Sequence, residues 1–112
     1  MKSENGVNVL IFKVLSNEVR LAIIEALLKA PMDVNEICGE IHEEQPRVSH
    51  ELRCLAVCGF VHSERKGKKM IYGLNKDTIT PIIDAANKHA KIFGDKIRDC
   101  EMLSDVRKMT IK

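Results

Sequence analysis

The sequence predicts a mainly α fold with a small β-hairpin wing, a winged helix-turn-helix that dimerises through its first and last helices. Three observations predict it. Apolar residues recur at helical spacing in five separate stretches. Two middle stretches are joined by only a brief turn, the second carrying a clear apolar stripe, which is helix-turn-helix grammar. After the fourth stretch the period changes from that of a helix to that of a strand, around Lys66-Gly67-Lys68.

Each element has its own local reason. Val7 to Ser16 carries Val7, Leu10, Ile11, Val14 and Leu15 at helical spacing. Ser16 or Asn17 caps the next helix, which runs through Leu21, Ile24, Ala26, Leu27 and Leu28 to Ala30, where Pro31 ends it. Asp33 caps a short helix from Val34 to about His42, with Ile37 and Ile41 inward. Gln45-Pro46 opens the fourth helix, since proline is tolerated in a first turn. Val48, Leu52 and Leu55 form its buried stripe and Gly59 stops it. From Phe60 to Leu74, Val61, Ser63 and Arg65 alternate against Phe60, His62 and Glu64, and Met70, Ile71 and Tyr72 resume the run beyond Gly67. Asp77 or Thr78 caps a last long helix through Ile82, Ile83, Ala86, Ala90, Ile92 and Phe93 to about Arg98. The terminal helices carry more apolar surface than one small protomer covers, which predicts a homodimer.

A chain of 112 residues holds one compact domain, residues 1–98, followed by a tail, residues 99–112. No apolar run approaches the ~20 residues of a membrane span, and no basic region followed by an apolar one opens the chain. The expected location is the cytoplasm, with no membrane partner. Net charge is only +2, but Arg65, Lys66, Lys68 and Lys69 cluster at the hairpin tip, whereas Glu36 to Glu44 is acidic. Such a local basic patch suits phosphate contact better than general polyanion binding. There is no Ser/His/Asp arrangement, glycine-rich phosphate loop or paired-carboxylate pocket in the pattern, so an enzyme is not expected.

Four cysteines in a chain expected in the cytoplasm read as thiols or metal ligands, not as a disulfide framework. Cys54 and Cys58 stand four apart in the fourth helix, hence on one face. They share a stripe with Arg47 and Glu51 that is rotated about 100° from the core stripe. Spacing alone leaves two readings: half of a thiolate metal site, or two small apolar side chains.

Taken together, Leu15-Ser16-Asn17-Glu18-Val19-Arg20-Leu21, Gln45-Pro46-Arg47-Val48-Ser49-His50-Glu51-Leu52, Cys58-Gly59-Phe60-Val61 and Lys66-Gly67-Lys68-Lys69-Met70-Ile71-Tyr72 resemble the ArsR/SmtB family of metal-responsive transcriptional repressors. The resemblance covers residues 7 to 98. It implies an operator-binding homodimer in which Arg47, Ser49, His50 and Arg53 reach the major groove. Arg65, Lys66, Lys68 and Lys69 of the wing would then neutralise phosphates. The cysteine placement is closest to the cadmium/lead-sensing (CmtR-type) branch. That likeness implies a metal site of Cys54 and Cys58 joined by Cys100 from the other protomer. The implied inducer is a soft ion, cadmium or lead, with zinc and arsenite as the other thiophilic candidates.

Two other family patterns are absent. Asp84 is followed by Ala85 and Ala86, which leaves only His89 of a last-helix zinc pattern, and the arsenic-type cluster is reduced to Cys38. Cys38 reads as a core or spare thiol, His89 as a surface or satisfied histidine, and Met70, Met102 and Met109 as packing or tail residues. The alternatives are a thiol-redox-responsive repressor of the same fold, or a winged-helix protein-interaction module.

Overall fold

The computed structural model describes residues 3–103, with side chains from residue 6 onward. The chain divides into two units, the first ending at Asn75 and the second starting at Lys76. The first unit contains α1 (Ser3–Leu15), α2 (Glu18–Lys29), α3 (Val34–Ile41), α4 (Gln45–Val57), β1 (Val61–Lys66) and β2 (Lys69–Leu74). The second contains α5 (Lys76–Asp99) and a short 3-10 turn, Glu101–Leu103. Among the described residues, no helix is long and apolar enough to cross a membrane.

The caps decide where α2 and α3 begin. Asn17 takes extended backbone and its Oδ1 accepts from the Arg20 N–H at 3.0 Å. Of the two residues proposed from sequence for this cap, Asn17 is the one that serves. Asp33 and Glu36 form a reciprocal capping box, each side chain accepting from the other's backbone N–H, at 2.8 and 3.0 Å. α3 ends at His42, whose φ of 59° places a non-glycine residue in the left-handed region. Residues 42–44 then turn the chain into α4, completing the helix-turn-helix.

The core sits where α2, α3 and α4 meet. Ile23, Ile24, Leu27, Ile37, Val48, Leu52 and Leu55 are its largest fully buried side chains. At about 1.5–3 kcal/mol for each such side chain, this contact is what holds α4 in place. The stripe Val48, Leu52 and Leu55 is the one that periodicity predicts, while Ile41, expected inward, is only half-buried.

The wing is an antiparallel hairpin in the register Val61↔Leu74 to Lys66↔Lys69. Gly67, at φ 64°, occupies the first position of the two-residue turn, where a side chain would be strained. Met32, just after α2, adds one further rung by exchanging hydrogen bonds with Tyr72 at 2.8 and 3.0 Å. That rung ties the wing to the end of α2 and carries no periodic signal in the sequence.

Helix α5 starts at Lys76, so Asp77 and Thr78 lie inside its first turn and neither is the cap that the sequence reading expected. Ile79 and Ile83 are buried, whereas Ile92 (72 %), Phe93 and Ile97 are exposed. His89 stacks obliquely on Phe93, ring centroids 4.8 Å apart. Of the expected tail, residues 99–112, Asp99 still belongs to α5, and Cys100 and the 3-10 turn follow it. The tail's remainder, 104–112, with Met109, lies outside the described residues.

Candidate nucleic-acid interface and thiol pair

An ion-pair network, as well as the core, fixes α4. Glu51 is buried in the middle of this helix, on the stripe that periodicity placed beside the core. Its Oε1 accepts from Arg20 Nη1 at 2.9 Å and its Oε2 from Arg47 Nε at 3.3 Å. Arg20 in turn donates Nε–H to the Val14 carbonyl at 2.9 Å. One carboxylate therefore links the end of α1, the start of α2 and the middle of α4. Periodicity puts Glu51 on a flanking stripe and gives Arg20 no role, because the pair spans 31 positions.

The residues assigned to DNA lie on two surfaces of the first unit. On α4, Arg47, His50 and Arg53 are exposed and Ser49 is half-buried. Arg47 is not simply a solvated charge, since its Nε is committed to Glu51. On the wing, Arg65, Lys66 and Lys68 are exposed around the turn. Lys69 differs: its Nζ lies 3.5 Å from Asp33 Oδ2, so it is shared with the cap of α3. The same lysine and the Glu36 N–H hold the Asp33 carboxyl below its ordinary range, the backbone hydrogen bond contributing most.

The two cysteines of α4 behave as a pair. Cys54 is half-buried, and Cys58 is the exposed C-cap, its N–H donating to the Cys54 carbonyl at 3.1 Å. Cys58 therefore closes the helix, and Gly59, at φ 80°, turns the chain away toward the wing. Although exposed as a residue, Cys58 lines an apolar groove with Val7, Leu10, Ile11 and Val14 of α1 and with Phe60. Desolvation there raises its thiol pKa first, the adjacent Cys54 raises it further, and the Arg20 guanidinium partly opposes them. Two soft donors within each other's electrostatic reach suit a thiophilic ion. Two donors do not by themselves complete the coordination of a metal ion. Among the described residues, no group of three or more His, Cys, Asp or Glu side chains could hold a metal ion. Cys100 is half-buried just beyond α5, and Cys38 is half-buried on α3.

Residues 17–63 match the family described as bacterial regulatory protein, arsR family. Over 77 residues the chain is 32 % identical to the HTH-type transcriptional regulator NmtR of Mycobacterium tuberculosis, covering 69 % of this chain and 64 % of that one. Residues 17–63 thus carry the ArsR-family helix-turn-helix domain. A second relative, the probable mercury resistance operon repressor of Streptomyces lividans, is 31 % identical over 64 % of this chain and 58 % of its own length. The chain thus spans about six-tenths of these two curated relatives. The solution structure of apo-NmtR superposes with a TM-score of 0.69 at 29 % identity, covering 81 % of this chain and 77 % of that one. The crystal structure of Mycobacterium tuberculosis Rv0081 gives a TM-score of 0.75 over 87 % and 99 %, and at 24 % identity it speaks to the fold alone. The ArsR-family match and the relatives' names describe regulators, in agreement with the expectation that the chain is not an enzyme.

Proposed function

We propose that this ArsR-family protein is a homodimeric DNA-binding repressor, released from its operator by a soft thiophilic ion of the cadmium or lead kind. Cys54 and Cys58 of one protomer would hold the ion together with Cys100 of the second. The observation that carries the reading is the adjacency of the Cys54 and Cys58 thiols on α4, the helix that also presents Arg47, His50 and Arg53. A relative named for mercury resistance supports a thiophilic signal. The exposed apolar side chains of α1 (Val7, Leu10, Phe12) and α5 (Ile92, Phe93, Ile97) support the dimer.

In this reading α4 enters the major groove and the wing's Arg65, Lys66, Lys68 and Lys69 neutralise phosphates. A bridge from the end of α4 to the other protomer's tail changes the pose of one recognition helix relative to its twin. Half-site spacing does not tolerate such a change. An ordinary allosteric coupling of about 1–3 kcal/mol corresponds to about 5- to 150-fold weaker binding. Fluorescence anisotropy tests the proposal, using a duplex selected by the protein from a random library. Added cadmium should release it within that range, and tight cadmium binding with unchanged DNA affinity would contradict the proposal.

A further inference from the structure

We infer that Glu51 is a positioning residue for base reading: it grips Arg47 by Nε, so that Arg47 meets DNA through its two terminal nitrogens and prefers guanine. The inference rests on the DNA-binding reading of α4 and concerns how that helix gains sequence preference.

An exposed Arg–Glu pair four apart on a helix is ordinarily worth little, because both side chains must be ordered to form it. Here one partner is already ordered. Glu51 is buried, with 7 % of its side chain accessible, and Arg20 Nη1 holds its other oxygen at 2.9 Å. Arg20 is itself held by the Val14 carbonyl. Arg47, 53 % accessible, thus docks onto a fixed carboxylate at 3.3 Å while its far end stays in solvent.

Guanidinium geometry then does the selecting. Arginine has five donors in a planar fork. With Nε–H on Glu51, the remaining N–H groups lie on the terminal nitrogens, where they match the O6 and N7 acceptors of guanine. A lysine at this position has a single nitrogen and cannot grip the carboxylate and span both acceptors. Glu51 also removes part of the ordering cost when Arg47 binds, the general route by which preorganisation raises affinity.

The test is selection from a random duplex library by the full chain, comparing wild type with Glu51→Gln, Arg47→Ala and Arg47→Lys. Circular dichroism confirms that each is folded. Wild type should enrich a guanine position that Arg47→Ala loses, a preference of about 5- to 150-fold. Glu51→Gln should reduce that preference toward the Arg47→Ala value, with the slope of log affinity against log salt unchanged because phosphate contacts are kept. Arg47→Lys should lose the preference and keep the slope, which keeps the inference testable if Glu51→Gln does not fold. A carboxylate with only a structural role would weaken all sequences equally. Unaltered guanine preference in either Glu51→Gln or Arg47→Lys overturns the inference while leaving DNA binding standing. If wild type selects a sequence with no guanine dependent on Arg47, the inference also fails. A wild type that selects no sequence overturns the DNA-binding reading and this inference with it.

Discussion

Replacing Arg20 by methionine tests what holds α4. The change leaves the Glu51 carboxylate buried, facing α2 without its partner at 2.9 Å, and leaves the Val14 carbonyl without its donor. Breaking one side of a buried ion pair costs about 3–5 kcal/mol, chiefly because the remaining charge is uncompensated. Two features reduce the cost here. The Arg20 side chain is 19 % accessible, so its pair is not fully desolvated, and Arg47 remains 3.3 Å from the other oxygen. We therefore expect a loss of about 2–3 kcal/mol. At about 4 °C per kcal/mol for a domain of this size, the melting temperature should fall by about 8–12 °C. Circular dichroism at the helical band measures it. The double variant Arg20→Met, Glu51→Met should recover to within about 1 kcal/mol of wild type, since an apolar pair of similar volume replaces a buried ion pair well. A single variant that melts with wild type, or a double variant worse than the single, would refute this account of how α4 is held.

Two further outcomes follow from the wing and the α3 cap. Lys66→Ala and Lys68→Ala should each lower the magnitude of the slope of log affinity against log salt by about 1, affect all sequences alike and leave the melting temperature unchanged. An unchanged slope would remove these residues from phosphate contact. Asp33→Asn should destabilise the protein at neutral pH, because the carboxyl is held below its ordinary range by the Glu36 N–H and by Lys69. The sign is that of a depressed acid: its contribution is complete above the unfolded value and disappears as pH falls through the folded one. The gap between the two melting curves should therefore close on acidification below the ordinary aspartate range, and a gap that widens there would be wrong for this cause.

Local and periodic features were legible before any coordinates. Val48, Leu52 and Leu55 announce which face of α4 is buried, Asp33 ahead of a short apolar-periodic stretch announces a cap, and Gly67 between two β-rich runs announces the wing. What escaped is non-local. Arg20 and Glu51 are 31 positions apart, and a carboxylate beside an apolar stripe reads as solvated unless its cation can be located. The Met32–Tyr72 rung joins a residue after a helix to a residue inside a strand, so neither period marks it. The boundary of α5 shifted for a related reason. Acidic Asp77 suits either a cap or a first turn, and the helix places it in the latter. Of the proposed thiol site, the placing of Cys54 and Cys58 on one face was readable from their spacing. The part proposed for Cys100 concerns two chains at once, which a single chain's periodicity does not encode.

We propose that a metal ion joins the α4 thiols of one protomer to Cys100 of the other and thereby loosens DNA. Mixed dimers measure this most directly, with one protomer carrying Cys54→Ser and Cys58→Ser and the other Cys100→Ser, co-expressed under two different tags. Each homodimer should show neither the thiolate-to-cadmium absorption of wild type nor cadmium-driven release of the selected duplex. The mixed dimer should regain both, at about half the wild-type absorption per dimer, because only one complete trans site can form. A mixed dimer as silent as its parents, beside a responsive wild type, would contradict the claim.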